Sequence, residues 1–429
     1  MILYYLLLLV TPFRSDPRLG AVLFTGGGMI VTPVKIVGLL AVMAALVAQR
    51  SAGVAPRLAN PLVVLFVPFA IFPVLATLAV GLPIPVDAIS ALISAALLLM
   101  ATRPLVNTRE RMFKVTRTIV LAFTFGSLWV YKQHFIEHAI NAWGLEQEPN
   151  YEALMLLTSI PLSFSMARHE DGRWWRRIGL ACGLIQVGAL VLTESRAGLF
   201  AAGFMGIAAV IHSRRKIVGL ALIAVAAILL FDFGPTNLSH RFKSIRFFGT
   251  PTNGDEGSTR IHVELLKAGL NMIATHPMFG VGLGEFKAMA PAYNAELLKL
   301  AKRSYIAHDT FIQIGAEGGI PTLLLLLAMM STAIVNFRSV RRSSDTALVA
   351  LSFSMQIGLM GISIAALSIT TQLLPFWIFI FLSQNLREIA VADVQHAGTG
   401  RGPYRHVHVH SASSRNIGFR PNQMAPVSP

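Results

Sequence analysis

The sequence predicts an all-α, polytopic membrane protein with about 12 transmembrane helices and one large helical loop between spans 9 and 10. Of the 429 residues, 54% are hydrophobic and only 13% are charged, whereas soluble domains carry roughly 25% charged residues. The mean hydropathy is +0.62. The apolar residues form long runs separated by short polar segments, which is the pattern of helices that cross a bilayer repeatedly.

The apolar runs predict the positions of the spans. They are Met1–Phe13, Ile30–Ala48, Pro61–Val80, Ile84–Ala101, Thr118–Tyr131, Tyr151–Ala167, Ile178–Thr193, Gly198–His212, Ile217–Phe233, Ile320–Phe337, Thr346–Ala366 and Leu373–Leu386. Several are shorter than the roughly 20 residues that a spanning helix needs, and the first could instead lie in the interface. The chain then divides into spans 1–9 (residues 1–233), a loop subdomain (234–319), spans 10–12 (320–388) and a disordered basic cytoplasmic tail (389–429).

Basic residues predict the orientation of these spans. The net charge is +15, but the arginines and lysines cluster in short loops instead of forming one patch, which argues against a nucleic-acid partner. With the N-terminus in the cytoplasm, alternation places all the strongly basic loops and the C-terminus inside, as the positive-inside rule requires. Some of these residues could also contact anionic lipid headgroups. The same alternation places residues 233–319, Lys132–Asn150 and Thr193–Ala197 outside.

The large outer loop shows helical periodicity. Its first helix carries an apolar stripe, and a proline ends it. A second helix is predicted at Ala295–Lys302, and a third begins near Ala307 and continues into the next span, with Gly318 and Gly319 at the junction. The stripe and the terminating proline are Ile261, Leu265, Ala268, Met272 and Pro277.

Three cationic or titratable residues on the outer side are candidates for chemistry. Arg196 could be an interfacial anchor or a phosphate clamp, because the planar guanidinium matches phosphate oxygens. Arg260 could pair with Glu264, four residues on, or face a bound anion. His308 is a candidate general base, because histidine titrates near neutral pH; the alternative is a hydrogen-bonded interfacial histidine.

Other polar residues complete the candidate set, with Asp309 and Glu317 as further candidates for substrate binding beside Arg196 and Arg260. Asp309, Gln313 and Glu317 follow a spacing of four and should form one polar stripe beside His308, where a carboxylate could orient the histidine ring. The remaining loop histidines, His240, His262 and His276, are interpreted as structural.

Signals for a metal site are weak. Asp255 and Glu256 are better explained as a solvated loop, His406, His408 and His410 as part of a solvated tail, and Cys182 as a buried apolar side chain.

The motifs THPMFGVGLGEF and, after a spacer, AHDTFIQIGAEGG resemble the hPhxGxGxGxF and HNxxhxxxxExG patterns of the O-antigen ligase and polymerase superfamily. The resemblance extends to STRIHVELLKAGLNMI, TESRAGL and EPNYEALML. Each motif alone is loose, but their order and spacing between spans of matching orientation make the joint match specific. In topology the resemblance covers most of the chain.

The resemblance implies a metal- and cofactor-independent glycosyltransferase in the bacterial inner membrane, with its active face in the periplasm. Its donor would be a glycan on a polyprenyl (undecaprenyl) diphosphate carrier. Its acceptor would be lipid A–core, for a ligase, or a second carrier-linked glycan, for a polymerase. Carried over by position, Arg196 and Arg260 would hold the diphosphate, His308 would activate the acceptor hydroxyl, and Glu317 would be structural or orienting.

One departure and two alternatives accompany this interpretation. Asp309 stands where the family has asparagine, and a carboxylate there would raise the basicity of His308 or repel the diphosphate. The single large outer loop late in the chain favours a ligase over an O-antigen, exopolysaccharide or capsule polymerase. A polysaccharide transporter is disfavoured, because charged residues are nearly missing from the centres of the predicted spans.

Overall fold

The structure is a computed structural model, and it describes residues 1–10, 24–26, 29–31, 33–51, 60–146, 148–213, 216–217, 219–221, 223–224, 256–300, 307–370 and 373–398. Most of the predicted ninth span, the first part of the large outer loop, His240, Asp255 and the tail with its three histidines lie outside these ranges.

Helices make up nearly all of the described chain. In order, the elements are α1 (Ile2–Val10), β1 (Phe24–Gly26), β2 (Met29–Val31), α2 (Pro33–Ser51), α3 (Pro61–Ala79), α4 (Val86–Leu105), α5 (Arg109–Phe135), α6 (Pro149–His169), α7 (Arg173–Leu192), α8 (Arg196–Ile211), α9 (Glu256–Thr275), α10 (Phe286–Tyr293), α11 (Glu296–Leu300), α12 (Thr310–Val340), α13 (Thr346–Ala365) and α14 (Leu374–Gly398). The two short strands pair antiparallel.

Six helices within the described ranges are long and apolar enough to cross a membrane. They are Pro61–Ala79, Ala88–Leu105, Arg109–Phe135, Arg173–Leu192, Thr310–Val340 and Thr346–Ala365, and two shorter apolar helices cover Lys35–Val47 and Arg196–Ile211. The expectation of an all-helical membrane protein is therefore confirmed in its coarse form, while the count of twelve spans stays a prediction. The first predicted span contains a helix of only 9 residues, well below the length of a spanning helix.

Several helix boundaries differ from the hydropathy-based ones, because capping rather than hydropathy decides where a helix begins. The predicted span Thr118–Tyr131 is the apolar part of α5, which begins nine residues earlier after the N-cap Thr108. The residues Met29–Val31, which overlap the start of the predicted second span, form a strand instead. At the other end of the chain, α14 continues to Gly398, so residues 389–398 are helical.

Helix α6 lies at the centre of the bundle and packs most extensively against α7 and α13. Two thirds of its residues are buried. Two of its buried polar side chains, Ser159 and Ser163, bind the fully buried Gln186 of α7: Gln186 Nε2 donates to Ser159 Oγ at 2.9 Å, and Ser163 Oγ donates to Gln186 Oε1 at 2.9 Å. Gln186 Nε2 also donates to Thr124 Oγ1 of α5 at 2.8 Å. Such neutral hydrogen bonds join helices in an apolar interior without the cost of a buried charge.

Ion pairs join several helices at one end of the bundle. Arg109, at the start of α5, binds Asp345 before α13 and, at 2.9 Å, Asp171 after α6. Arg103, at the end of α4, lies 3.0 Å from Glu388 of α14. We call this the ion-pair end. It brings together loops that the charge alternation places on one side of the membrane.

The segment between α8 and α12 builds a second hydrophobic cluster, separate from the main core. Its buried members come from α9, the following loop, α10, α11 and the region around α12: Leu265, Ala268, Met272, Val281, Phe286, Ala290, Leu297, Ala307 and Ala316. The predicted stripe is confirmed, since Ile261 packs against the cluster and Leu265, Ala268 and Met272 are in it. Helix α9 also ends just before Pro277, as predicted.

Candidate functional site

The glycine-rich loop between α9 and α10 folds back onto the middle of α12. Val281 N–H donates to Ala316 O at 2.8 Å, Gly282 N–H donates to Glu317 O at 3.1 Å, and Ile320 N–H donates to Pro277 O at 2.8 Å. Ala316 O and Ile320 N–H do not pair within the helix because α12 is interrupted at Gly319, where φ is 75° and ψ is 173°. Glu317 O lacks a helical donor because residue 321 is a proline. The segments THPMFGVGLGEF and AHDTFIQIGAEGG are therefore joined by backbone hydrogen bonds.

Glycine is required at two positions of this contact. Gly280 has φ of 66°, and a Cβ there would lie 2.5 Å from Ala316 O and from the Glu317 carbonyl. A Cβ on Gly319 would lie 2.4 Å from Met278 O. Both obstacles are backbone atoms, which cannot rotate away as a side chain can. The loop and the interrupted helix thus approach each other as closely as two backbones allow.

The side chain of Glu317 binds the glycine-rich loop through hydrogen bonds. Its buried carboxylate accepts hydrogen bonds from Gly284 N–H at 3.0 Å and from Gln313 Nε2 at 2.9 Å. Thr77 Oγ1 of α3 accepts from Leu283 N–H at 2.8 Å. The spacing of four thus brings Gln313 and Glu317 together as expected. The bonds of Glu317 favour the structural role over direct contact with a substrate.

His308 occupies the turn immediately before α12 and is half-buried. Its φ of 52° is left-handed, a conformation that costs a residue with a side chain about 1 kcal/mol or more. Strain of this kind is concentrated at functional sites. Partial burial lowers the pKa of His308 below its ordinary value, which favours the neutral ring that can accept a proton.

Asp309 caps α12. Its Oδ1 accepts from Phe311 N–H at 2.9 Å and from Ile312 N–H at 3.0 Å. Burial raises the pKa of Asp309, and these two donors oppose the rise. The carboxylate is thus directed at the helix backbone rather than at the ring of His308. Asparagine caps helices about equally well, which gives the departure from the family motif a structural explanation.

The cap can be tested by its effect on stability. Asp309→Ala should lower the free energy of unfolding by about 1 kcal/mol, whereas Asp309→Asn should change it by only a few tenths. Thermal unfolding of the purified protein in detergent measures both. Asp345 is a matched control, because it caps α13 in the same way but also binds Arg109, so Asp345→Asn should cost more than Asp309→Asn. Equal losses for Asp309→Asn and Asp309→Ala would show that the charge matters, not the cap.

His262 of α9 stacks on His308. The ring centroids are 4.2 Å apart and the ring planes are inclined by 15°. Burial, followed by the nearby His308 and Arg196, lowers the pKa of His262 to about 4. The sequence alone favours a structural role for His262 and does not predict this contact. His276, by contrast, lies at the turn after α9, where its carbonyl accepts from Gly280 N–H at 2.9 Å.

Arg196 is the first residue of α8 and belongs to the same site. Its charge is the smallest of the causes that lower the pKa of His262, so Arg196 lies within electrostatic range of that ring. The preceding Ser195 accepts from Gly198 N–H at 3.2 Å and donates to Asn150 Oδ1 at 2.7 Å. Asn150 is the second residue of α6 and in turn donates to Glu148 at 2.9 Å. The segment EPNYEALML, which contains Asn150, therefore positions the residues around Arg196.

Arg260 points in a different direction. It is two residues before His262, which places the two side chains on different faces of α9. Its guanidinium is 3.6 Å from Glu296 Oε2 of α11, and both side chains are substantially exposed. The alternative partner, Glu264, instead accepts from Lys267 at 2.8 Å and from Asn294 at 2.7 Å. The structure therefore pairs His262 with His308 and brings Arg196 within electrostatic range of His262, while Arg260 has its own exposed partner, Glu296.

This arrangement combines a fixed cation with a neutral imidazole. An arginine at the first turn of a helix, where backbone N–H groups are also free, suits an anion such as phosphate. A histidine of lowered pKa suits proton removal from a hydroxyl. Within the described ranges, no group of three or more His, Cys, Asp or Glu side chains could hold a metal ion.

Sequence reasoning missed His262 and the link between Asn150 and Ser195. The one available signal for a functional role of His262 was its position two residues after Arg260, in the first turns of a loop helix. The contact with His308 joins elements 46 residues apart, and helical periodicity carries no information about such a tertiary contact.

Comparison with known protein families agrees with the motif assignment. Residues 181–327 match the family model described as O-Antigen ligase. The matched range contains Arg196, Arg260, His262, His308 and Glu317. No curated protein shows a significant match to the chain.

Proposed function

The match of residues 181–327 supports the O-antigen ligase superfamily as the family of this chain, and on that premise we propose that the protein transfers a glycan from a polyprenyl-diphosphate carrier to an acceptor hydroxyl on the periplasmic face. The family points to glycosyltransferase activity of the O-antigen ligase or polymerase type. The donor, the acceptor, the face of the membrane and independence from metals are parts of the proposal.

The observation that carries the proposal is the stacked His262–His308 pair, with Arg196 within electrostatic range of His262. These residues come from α8, α9 and the turn before α12. They lie at the end of the bundle opposite the ion-pair end, since α12 runs from His308 towards Arg341. A lipid-linked anion with its tail among apolar helices could reach such a site from the membrane.

The proposed reaction is a displacement at the anomeric carbon of the first sugar. His308 takes the proton of the acceptor hydroxyl while that oxygen forms its bond to the anomeric carbon. The bond from this carbon to the diphosphate oxygen breaks, and its electron pair leaves with the diphosphate. Arg196 stabilises the charge that develops on this leaving group, which is already stable as an anion.

Arg260 has a supporting role in this proposal. Its ion pair with Glu296 is exposed, and such pairs contribute at most about 1 kcal/mol. Arg260 could therefore exchange Glu296 for a phosphate oxygen at little cost when the donor is bound. Asp309 is placed as the cap of α12 and Glu317 as the support of the glycine-rich loop, rather than as groups that touch the substrate.

A ligase is favoured over a polymerase as the specific activity. The family model is described as O-Antigen ligase, and the single large outer loop lies late in the chain. The acceptor is then lipid A–core. A polymerase of O-antigen, exopolysaccharide or capsule repeats is the alternative.

The test is complementation of a deletion of the gene in its own host, with carrier-linked and surface glycans resolved by gel. His308→Ala should lower transfer about 10²–10⁴-fold, the usual contribution of a general base. His212→Ala is the matched control, because His212 is exposed at the far end of α8, and it should restore wild-type transfer.

The glycans that accumulate identify the reaction. Long polymer on the carrier together with bare lipid A–core indicates a ligase. Single repeats on carrier and core indicate a polymerase. Normal transfer by His308→Ala at wild-type protein level would exclude His308 as the base, and unchanged glycans in the deletion strain would contradict the proposed function as a whole.

A further inference from the structure

We propose that His262 is a positioning residue for the transfer reaction: its ring, stacked on His308, fixes the orientation of His308 and shields one face of it from water. This inference rests on the proposed function, in which His308 accepts the proton of the acceptor hydroxyl. It assigns a role to a residue that the motifs do not single out.

The backbone on both sides of His308 is held by packing and hydrogen bonds. The orientation of the imidazole ring therefore depends on what contacts the ring itself. Ala307, on one side, is buried in the second hydrophobic cluster. On the other side Asp309 caps α12, and Thr310 N–H donates to Ala366 O at 2.9 Å. The left-handed φ of His308 sets where its side chain begins, and the ring of His262 lies against its face at a centroid distance of 4.2 Å.

The geometry excludes a direct proton relay between the two histidines. The N–H bonds and nitrogen lone pairs of imidazole lie in the ring plane, and these two planes are inclined by only 15°. Rings that face each other in this way cannot form an N–H···N hydrogen bond with useful geometry. His262 must therefore act on His308 through face contact and exclusion of water.

The surroundings of the pair keep His262 neutral and leave His308 as the member that accepts the proton. Burial, His308 and Arg196 lower the pKa of His262 to about 4, so His262 is neutral under ordinary conditions. The other charged groups on the packed elements have their own partners. Glu296 binds Arg260 and Lys299, Glu264 binds Lys267, and Asp309 binds the backbone of α12.

A change in pH dependence follows from this arrangement. Burial lowers the pKa of His308, so transfer that needs the neutral ring should increase as the pH rises through this lowered pKa. Removal of the His262 ring exposes one face of His308 to water. The pKa of His308 should then rise towards about 6.5, its unperturbed value, and the acidic limb of the pH–rate profile should move to higher pH.

The experiment uses the full-length protein in detergent, a polyprenyl-diphosphate glycan as donor and lipid A–core as acceptor. Transfer is measured from about pH 5 to 8, near the pKa of free histidine. His262→Ala should be at least ~10-fold slower, because misplacement of a catalytic group by about 1 Å can cost ~100-fold, and its acidic limb should lie at higher pH. His262→Phe, which keeps an aromatic face, should stay within ~3-fold of wild type, because positioning is kept.

Two further variants keep the outcomes separate. His262→Gln removes the ring but keeps a polar side chain, and it replaces His262→Ala if that variant fails to fold. His308→Ala reports on the underlying function. If His308→Ala is inactive while the ring-less variants keep the wild-type rate and pH profile, the role of His262 is contradicted and the proposed function stands.

His262→Phe that is as slow as His262→Ala, at equal thermal stability, would also contradict stacking as the role of His262. Normal transfer by His308→Ala would contradict the proposed function, and the role of His262 with it.

Discussion

Gly280→Ala is expected to abolish glycan transfer and to destabilise the protein by roughly 2–5 kcal/mol. The left-handed backbone of Gly280 costs a residue with a Cβ about 1–2 kcal/mol. The new Cβ would also lie 2.5 Å from backbone atoms of Ala316 and Glu317, and overpacking of this kind adds about 1–3 kcal/mol. Relief of the clash requires the glycine-rich loop to leave α12. Because α12 begins two residues after His308, that displacement reaches the site.

Gly203→Ala is the matched control for this substitution. Gly203 lies within α8, and a Cβ there would meet nothing within 4 Å. Alanine is also the better helix former, by up to about 1 kcal/mol. Thermal unfolding and transfer should therefore be unchanged or slightly improved in this variant. If Gly280→Ala instead has a wild-type melting temperature and normal transfer, the loop does not pack against the interrupted helix in the active protein.

The contact that makes Gly280 sensitive could be predicted only in part. Pro277 and the apolar stripe of α9 predicted where that helix runs and ends, and the start of α12 near Ala307 was also expected. Those features depend on neighbours three or four residues apart. The docking of the loop on Ala316 and Glu317 depends on backbone hydrogen bonds between segments that are about 35 residues apart, which periodicity does not report.

The sequence contained the signal for the N-cap of α12, but Asp309 was interpreted as a possible partner of His308. Asp309 directly precedes an apolar helix, which is the usual position of an N-cap, and the structure uses it as one. Its position next to His308 instead suggested a charge that tunes the base. Helix α10 was also missed. It is only 8 residues long with an internal Pro291, so local propensity gave it little support.

Some of the candidate functional residues could be predicted from the sequence and others could not. Arg196 and His308 could be selected from residue type and predicted position on the outer side, because a guanidinium suits phosphate and free histidine titrates near neutral pH. His262 could not, because an isolated histidine on a half-apolar helix is usually structural. Arg260 was predicted to face Glu264 or an anion, and the structure provides a third partner, Glu296. Partners on other elements depend on the tertiary fold, which these local patterns do not determine.

Arg196→Ala is expected to lower transfer about 10²–10³-fold, the cost of removing one preorganised group that stabilises developing negative charge. Arg196 is held at the start of α8 by the cap Ser195, which in turn is tied to Asn150 of α6. The backbone of Arg196 is therefore fixed before the donor binds, and in the proposed reaction its guanidinium would meet the diphosphate with little reorganisation. Arg196→Lys should recover only part of the rate, because an ammonium keeps the charge but not the planar two-pronged geometry.

The measurement is kcat and KM for the carrier-linked donor with purified variants. Arg177→Ala is the control for loss of one positive charge, since Arg177 is exposed near the ion-pair end of α7, and it should leave both constants unchanged. A leaving-group role requires kcat to fall in Arg196→Ala, because the charge on the diphosphate increases as its bond to the sugar breaks. An increase in KM alone would reduce Arg196 to an anchor for the bound donor. Wild-type kcat and KM in Arg196→Ala would contradict the phosphate-binding role and leave Arg196 as an interfacial anchor.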